Sequence, residues 1–379
     1  MACLSPSIGA DARALSYARI ATRRPGSSGE TDGREIVTNW VRHIATLTAA
    51  ATAFLAAPIA NADPVADFYS GKTITLLIGF GPGGGYDTYA RVLARHFSKH
   101  IPGNPGIVPQ NMPGSGGVKV ANYMYNAAPK NGTYLQMIAT SAALEPLFGN
   151  KVAKYDPTKF SWIGNMDKDT ASCGVWQSAG IRKFSDMLTK EVVFGATGPS
   201  ASTGQHALVL RNMLGAKVKL ITGYKGTKEI NLAMERGEVG ATCGMFLSSV
   251  KSDFDADVKS GKLKIIIQFG RTNEPYFGDA ANIYDLLKTD EEKATADIIF
   301  QQSEITRPVG GTPGVPAERT AALRKAFVET MSDPGLMADA TKIRIDIRPM
   351  TGEQLSAAFA SFYKAPPEVL KKAIAATSR

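Results

Sequence analysis

A glycine-rich segment, residues 79–87, has the composition of an anion-binding loop. An apolar, strand-like run at residues 74–78 precedes it, and apolar residues recur at helical spacing over residues 89–97. Glycines permit turns that other residues resist, and the free N–H groups at the start of a helix favour a negatively charged ligand. The sequence therefore predicts a strand, a turn and a helix start that could hold an anion. A tight turn without a ligand would have the same composition.

Within this loop, Gly79, Gly81 and Gly84 also fit the G-x-G-x-x-G pattern of dinucleotide-binding loops. Such a loop needs an acidic residue about 20 positions later to bind the ribose. No Asp or Glu occurs between Asp87 and Glu145. The loop therefore favours a small carboxylate over a nucleotide phosphate, and no cofactor is expected.

Two other groupings of residues could do chemistry, and each has a simpler interpretation. The segment 200–204 only approaches the G-x-S-x-G motif of hydrolases, and a triad with His206 would also need an orienting acid and a distinct elbow. A Ser- and Thr-rich loop that opens a helix is more often a cap and a ligand cradle. His96 and His100 have the spacing of zinc ligands, but no Glu lies between them. We therefore expect no catalytic residues and no metal site.

The beginning of the sequence is expected to be an N-terminal extension and a signal peptide, residues 1–62. A basic flank at Arg42-His43, an apolar run at residues 44–59 and an A-x-A site ending at Ala62 are typical of an export signal that is cleaved before Asp63. The apolar run is shorter than the ~20 residues that cross a membrane. The sequence therefore predicts an exported, periplasmic protein.

The overall charge points to anionic partners. The chain of 379 residues contains 43 Lys and Arg against 34 Asp and Glu, a formal net charge of +9. A basic excess suits an anionic ligand or a negative surface. The basic residues are scattered and no DNA-binding motif is present, so nucleic acid is not an expected partner.

Two cysteines remain after cleavage of the signal, Cys173 and Cys243, each in a short strand-like run. An even number of cysteines in an oxidising compartment permits a disulfide. Two buried free thiols are the alternative, and the pattern favours the disulfide.

Strand-like and helix-like segments alternate along the exported part of the chain. Strands near residues 74–78, 107–111 and 133–138 are separated by helical segments, which indicates a parallel sheet with right-handed crossovers. A second set of such units begins near residue 191. Ligands gather at the carboxyl ends of strands in open α/β sheets, so the loop at residues 139–144 is expected near the glycine-rich loop.

Six short motifs follow one another along this part of the sequence. They are G-G-G-Y-D at residues 83–87, N-M-P-G-S-G-G at 111–117, N-G-T-Y-L at 131–135, Y-D-P with a following Phe at 155–160, G-A-T-G at 195–198 and Y-K-G at 224–226. In this order they resemble the Bug-type, or TctC-like, extracytoplasmic receptors of tripartite tricarboxylate transporters. Tyr86 stands where that family has a small Thr, and Pro199 where it often has Asn, so the resemblance leaves the ligand open.

The resemblance implies a two-lobed α/β fold of the type II-like periplasmic binding proteins, each lobe a mostly parallel sheet flanked by helices. Lobe one would contain residues 64–168 and 250–379, and lobe two residues 169–249. Two crossing segments at the hinge, near residues 165–172 and 244–250, would join the lobes.

It also implies a binding protein and not an enzyme. The protein would be a monomer that captures a small organic acid and delivers it to membrane transporter subunits. A carboxylate sensor without a transport role is the alternative, and a serine hydrolase is a less favoured one.

The expected ligand site lies between the lobes. We expect a ligand carboxylate on the backbone N–H groups of residues 84–87, and the loop 197–203 at the other end of the ligand. Asp87 should mainly cap the first helix, because a bare carboxylate would repel an anion. The candidate ligand-binding residues are Gly84, Gly85, Tyr86, Asp87, Ser141, Thr197, Ser202, Thr203 and Tyr224.

Overall fold

A computed structural model describes residues 63–378 of the protein. The predicted extension and signal peptide, residues 1–62, therefore lie outside the described residues. Within the described range two six-stranded sheets are flanked by helices, and the predicted α/β fold class is confirmed.

Helices and strands follow one another through the described range. The first part contains α1 (Pro64–Tyr69), β1 (Thr73–Ile78), α2 (Gly85–Phe97), β2 (Gly106–Asn111), α3 (Val118–Asn126), β3 (Tyr134–Met137), α4 (Thr140–Leu144) and β4 (Ser161–Asn165). The middle part contains β5 (Ala171–Trp176), β6 (Val192–Ala196), α5 (Ser202–Leu214), β7 (Val218–Thr222), α6 (Thr227–Glu235), β8 (Ala241–Phe246), α7 (Leu247–Ser249), α8 (Asp255–Lys259) and β9 (Leu263–Gln268). The last part contains β10 (Ala281–Asn282), α9 (Ile283–Leu286), α10 (Asp290–Phe300), β11 (Pro308–Gly311), α11 (Ala317–Met331), α12 (Pro334–Lys342), β12 (Met350–Thr351), α13 (Gly352–Phe362) and α14 (Pro367–Thr377).

Both sheets are mixed, whereas the sequence predicted mostly parallel ones. The first has the strand order β12-β4-β11-β3-β1-β2 and the second the order β10-β9-β5-β8-β6-β7. β1 pairs in parallel with β2 and β3, as strand–helix–strand units require. The antiparallel pairs involve β4 and β11 in the first sheet and β5 in the second, close to the points where the chain changes sheet.

The predicted division into residues 169–249 and the rest is wrong for two strands. β9 pairs with β5, and β10 pairs with β9, so both belong to the second sheet. The chain first changes sheet between Asn165 and Ala171, and it returns between Phe300 and Pro308 rather than at 244–250. The residues of an apolar strand do not show which of two sheets the strand joins, because its sequence would suit the interior of either. The described residues belong to one compact unit, and separate movement of two lobes stays a prediction.

The apolar run that opens the fold is explained by helices on both faces of β1. Leu76 and Ile78 pack in one buried cluster with Leu93 of α2, whereas Leu77 packs in another with Val120 of α3. A strand covered on both faces has no polar side, and it therefore reads as a continuous apolar run. No helix within residues 63–378 combines the length and the apolarity that a membrane crossing would require.

The structure joins Cys173 of β5 and Cys243 of β8 by a disulfide. Both residues are fully buried in the core of the second sheet. The bond links strands that are neighbours in space but 70 residues apart in sequence.

Candidate ligand-binding site

The glycine-rich loop turns from β1 into α2 without a side-chain cap. Gly84 occupies the N-cap position of α2, and no side chain accepts a hydrogen bond there. Gly83 has φ of 80°, a left-handed conformation that favours glycine. The first N–H groups of α2 are thereby available to a ligand, as expected of an anion-binding loop.

Loops from the two sheets meet at this point. The Gly81 N–H donates a 2.7 Å hydrogen bond to the Lys225 carbonyl oxygen, which follows β7 of the second sheet. A Cβ atom on Gly84 would lie 3.1 Å from Thr227 Oγ1. The approach is so close that only glycine fits without movement of its neighbour.

A small cavity of about 30 Å³ lies between the meeting loops. It is lined by Phe80, Gly84, Gly85, Tyr86, Thr197, Ser202, Thr203, Gly226, Thr227, Gly244, Phe246, Ser249 and Arg307. Six of the nine residues predicted from the sequence are in this lining. The other three, Asp87, Ser141 and Tyr224, are not.

On the side of the second sheet, the cavity meets the start of α5. The Thr197 N–H donates to Thr203 Oγ1 at 3.0 Å, which folds the loop after β6 back onto the first turn of the helix. Ala201 at the N-cap has no side-chain hydrogen bond to the helix. A Cβ on Gly244, whose φ is 65°, would lie 2.7 Å from the Thr203 nitrogen. A second helix N-terminus therefore faces the same cavity as α2.

Asp87 does not cap α2 in the predicted way, since it lies in the first turn and not at the N-cap. Its carboxylate accepts hydrogen bonds from the Gly83 N–H, from Arg91 and from Asn111, at 2.8–3.0 Å. Burial alone would raise the pKa of Asp87, but these donors lower it, so the group is ionised. Its charge is matched by Arg91 and directed away from the cavity, and the residue holds the loop in shape.

Ser141 and Tyr224 follow the expected strands, but neither lines the cavity. Ser141 is fully buried in α4, and its hydroxyl has no hydrogen-bond partner among residues 63–378. Tyr224 packs against the core cluster that contains Ile230 and Met234 of α6. The sequence placed their loops at the sheet edge but could not give the direction of each side chain.

Sequence reasoning missed seven of the cavity-lining residues, and Arg307 is the charged one among them. It precedes β11 and is fully buried, with 0% of its surface exposed. Its Nη1 donates to the Thr306 carbonyl oxygen at 2.8 Å, and its Nη2 donates to Ser248 Oγ at 3.2 Å. The only sequence signal is a single arginine in the otherwise uncharged run Ile305-Thr306-Arg307-Pro308-Val309.

Three aromatic rings surround the Arg307 guanidinium. Its central carbon lies 4.7 Å from the ring centres of Tyr86 and Tyr89 and 5.1 Å from that of Phe246. Burial raises the pKa of Tyr86 to about 12 despite the opposing charge of Arg307, so this phenol is neutral. The rings fix the plane of the guanidinium beside the cavity.

Comparison with known proteins identifies the fold. No protein-family model matches the chain. A curated relative, the UPF0065 protein in the gbd 5' region of Cupriavidus necator, is 25% identical over 331 residues, which cover 86% of this chain and 94% of the relative. The solved structure of the periplasmic binding protein BugD matches with a TM-score of 0.65 at 17% identity, over 80% of this chain and 98% of BugD. The chain has the Bug-type binding-protein fold.

A second solved structure supports the same conclusion. MatC (Rpa3494) from Rhodopseudomonas palustris, solved with bound malate, matches with a TM-score of 0.63 at 16% identity, over 81% of this chain and 99% of MatC. The resemblance to Bug-type proteins that the motifs indicated is confirmed.

In this Bug-type fold an acidic pair lies where the chain first passes between the sheets. Asp167 Oδ1 accepts from Arg348 Nε at 2.9 Å, and Oδ2 accepts from the Tyr89 hydroxyl at 3.0 Å. Asp169 Oδ2 accepts from the Ser248 N–H at 3.0 Å. Burial raises the pKa of Asp167 to about 7, against the hydrogen bond from Arg348, and burial also raises the pKa of Asp169. Asp167 thereby ties the first passage between the sheets to Tyr89 of α2, and Asp169 ties it to Ser248, which follows β8.

The histidines considered for catalysis and metal binding lie elsewhere. His206 does not line the cavity; it packs against Phe269 and Phe300, and burial lowers its pKa to about 3. His96 and His100 lie 2.9 Å and 3.1 Å from carboxylate oxygens of Asp339 and Asp333, respectively. Residues 63–378 contain no group of three or more His, Cys, Asp or Glu that could hold a metal ion.

Proposed function

We propose that the protein is a periplasmic solute receptor. It binds a small organic carboxylate between its two sheets and delivers it to a tripartite tricarboxylate-type membrane transporter. The observation that carries this proposal is the convergence of two uncapped helix starts, α2 and α5, on one cavity. Each start offers unpaired N–H groups and the positive end of a helix dipole, which together stabilise a carboxylate.

The relatives support a carboxylate as the ligand class. MatC was solved with malate, and BugD is a periplasmic binding protein. The cavity of about 30 Å³ is too small for a molecule of this kind as it stands. Binding would therefore include separation of the two sheets about the two connecting segments, followed by closure around the ligand. Such a ligand-dependent shape is what a transporter, or a signalling partner in the sensor alternative, would recognise.

Export would leave Asp63 as the first residue of the working protein, and we predict that N-terminal sequencing of the periplasmic form begins there. Asp63 is already the N-cap of α1, because its Oδ1 accepts a 2.9 Å hydrogen bond from the Val65 N–H. The measurement is Edman sequencing or intact mass of protein from a periplasmic extract. Recovery of only the full-length chain from the cytoplasm would contradict export.

The receptor proposal is tested by thermal denaturation of the purified protein with a panel of carboxylates. A ligand that binds the folded state raises the unfolding temperature by mass action. Stabilisation by one or a few acids, with the acid recovered unchanged, is the expected result. No response to any acid, together with turnover of an ester or a thioester, would favour the hydrolase instead.

The site itself is tested by adding a side chain at the start of α2. A Cβ on Gly85 would lie 2.5 Å from Ser249 Oγ and 3.0 Å from Arg307 Nη2, and both residues line the cavity. We expect Gly85→Val to lower ligand affinity by at least about tenfold, or about 1.4 kcal/mol, measured by isothermal titration with an acid from the panel.

Gly106→Ala is the matched control for this variant. Gly106 begins β2 outside the cavity, and a Cβ there would meet its nearest neighbour, Thr73 Oγ1, at an ordinary 3.5 Å. The control should bind the acid as the parent does. Normal binding by a folded Gly85→Val protein would show that the ligand lies elsewhere.

A further inference from the structure

Glu145 is a buried acid at a contact between the two sheets. It follows α4 on the side of the first sheet, and only 4% of its surface is exposed. No Lys, Arg or His of residues 63–378 forms an ion pair with its carboxyl group. Because burying a carboxylate without a cation is costly, the protonated form of such a group is favoured.

The hydrogen-bond partners of Glu145 come from both sides of this contact. Asn150, in the loop after α4, donates from Nδ2 to the carboxyl group, and it also donates to Ser200 Oγ at 3.3 Å. Gln205 of α5 donates from Nε2 to Glu145 Oε1 at 3.2 Å. Since α5 packs in the core of the second sheet, the side chain of Glu145 joins the two halves of the fold.

The backbone loops beside Glu145 also meet closely. A Cβ on Gly116, in the loop before α3, would lie 2.7 Å from Ala201 Cβ, and a Cβ on Gly198 would lie 3.4 Å from the Gly116 nitrogen. Separation of the sheets would break these contacts together with the hydrogen bond between Glu145 and Gln205. Water would then reach the carboxyl group.

Titratable groups on the first sheet's side of Glu145 keep one charge state around neutral pH. Burial raises the pKa of Tyr155 and of Tyr363, and the negative charge of Glu145 raises both further, so these phenols are neutral. Lys151 and Lys154, in the loop after α4, are exposed and form no ion pair with Glu145. These neighbours therefore do not change charge in the range where Glu145 can.

On the second sheet's side, the titratable neighbour is His206 of α5. Burial lowers its pKa to about 3, so the imidazole is neutral, and its Nε2 lies 3.1 Å from Gln302 Nε2. Burial raises the pKa of Glu145 against the hydrogen bonds that it accepts. The charge of Glu145 is therefore the one in this network that changes as the pH rises from acid to neutral.

We propose that Glu145 is a proton-dependent latch between the two sheets, which holds them together when it is protonated and favours their separation when it is ionised. In the protonated form one carboxyl oxygen donates a hydrogen bond, while the other still accepts from Gln205. In the separated form water solvates the group, and its pKa returns towards the value of about 4.3 for a free glutamate. This inference rests on the proposed function, to which it adds a response to pH.

The affinity for an acid should consequently fall as the pH rises. Below about pH 4 Glu145 is protonated in both forms, and closure takes up no proton. At higher pH the open form loses its proton first, so closure around an acid must take one up. Each pH unit then lowers the affinity by up to about tenfold until the closed form also ionises. A glutamate with a purely structural role would have the same pKa in both forms and give no such dependence.

The experiment measures the affinities of malate, succinate and adipate by isothermal titration from about pH 5 to about pH 8. Glu145→Gln is the test variant, because its amide reproduces the hydrogen bonds of the protonated acid and does not ionise. Parent and variant should bind alike at the acid end, and at the alkaline end the variant should bind about tenfold more tightly. Ionisation of the added acids is common to both proteins and cancels in the ratio.

Titration in two buffers with different heats of ionisation counts the protons that accompany binding. Near neutral pH the parent should take up more protons per bound acid than Glu145→Gln, by up to about one. Glu353→Gln is the matched control, because Glu353 is exposed, pairs with Arg324 and has a lowered pKa, so that it is ionised in both forms. The control should follow the parent at every pH.

Two results would overturn the latch while leaving the receptor proposal intact. One is equal affinity of the parent and Glu145→Gln at every pH, and the other is weaker binding by the variant at every pH. Failure of the parent to bind any carboxylate would instead overturn the receptor proposal.

Small-angle X-ray scattering tests the latch without any acid. The radius of gyration of the ligand-free parent should increase from about pH 5 to about pH 8, and that of Glu145→Gln should stay constant. The same radius for both proteins at every pH would overturn the latch.

Discussion

Reduction of the Cys173–Cys243 disulfide is expected to lower the free energy of unfolding by about 4 kcal/mol. The bond closes a loop of 70 residues, and this restricts the unfolded chain much more than the folded one. The folded state should change little, because both cysteines lie in a packed core between strands that are already paired through their backbones. A loss of this size is a large part of the stability of an ordinary domain.

The measurement is urea denaturation of the protein with and without a reductant, monitored by circular dichroism. Because both sulfur atoms are buried, the reduced sample must be unfolded in reductant and then refolded. A variant with Cys173→Ser and Cys243→Ser should show no response to the reductant. Thiol titration of unfolded, unreduced protein lacking residues 1–62 should find no free thiol, and two free thiols would refute the bond.

The sequence predicted those parts of the fold that depend on neighbouring residues, and it did not predict those that depend on residues far apart in the chain. The strand at residues 74–78 and the glycine turn after it were predicted because an apolar run and a glycine each influence the backbone conformation at their own positions. The sheet to which β9 belongs was not predicted. Its apolar run Leu263-Lys264-Ile265-Ile266-Ile267 would be buried equally well in either sheet, and only its pairing with β5, about 90 residues earlier, decides the matter.

For the candidate site, too, the sequence predicted the local features but not the contacts between distant residues. The loops after β1 and β6 were recognised by their glycines, and their residues line the cavity. Arg307 was missed because its contacts come from two distant stretches of the chain, one with Tyr86 and the other with Phe246 and Ser248. Asp87 was expected at the helix cap, but whether a carboxylate in a first turn faces a ligand depends on its partners Arg91 and Asn111.

The second large effect is a loss of stability with rising pH that arises from Asp167. Its side chain is completely buried, and burial raises its pKa to about 7 despite the hydrogen bond from Arg348, with the neighbouring Asp169 charge raising it further. A carboxyl group in the unfolded chain has a pKa of about 3.9. The folded state therefore holds the proton more tightly than the unfolded state does.

The sign of the effect follows from this difference. Below about pH 4 the group is protonated in both states, and its contribution to stability is fully present. As the pH rises towards 7, the unfolded chain loses the proton while the folded protein keeps it, and this contribution is lost. A difference of about three pH units corresponds to roughly 4 kcal/mol, which sets the upper end of the expected effect.

Asp167→Asn should therefore flatten the pH dependence of stability between about pH 4 and pH 7. Asparagine has a similar shape, and its side-chain oxygen can still accept a hydrogen bond from Arg348 or Tyr89, but it does not ionise. The measurement is the free energy of unfolding in urea at several pH values for the parent and the variant. Asp169 is present in both proteins, and because its charge interacts with Asp167, the difference between the two pH profiles includes that interaction.

Asp255→Asn provides the control for this experiment. Hydrogen bonds from Lys259 and Tyr276 lower the pKa of Asp255 to about 2, so this group is ionised in both states over most of the same pH range. Its replacement should leave the slope between pH 5 and pH 7 as it is in the parent, whatever it does to overall stability. If Asp167→Asn also left that slope unchanged, then Asp167 would be ionised in the folded protein at pH 5. The carboxylate between Arg348 and Tyr89 would in that case be a permanent ion pair at the junction of the two sheets, not a group that gains a proton on folding.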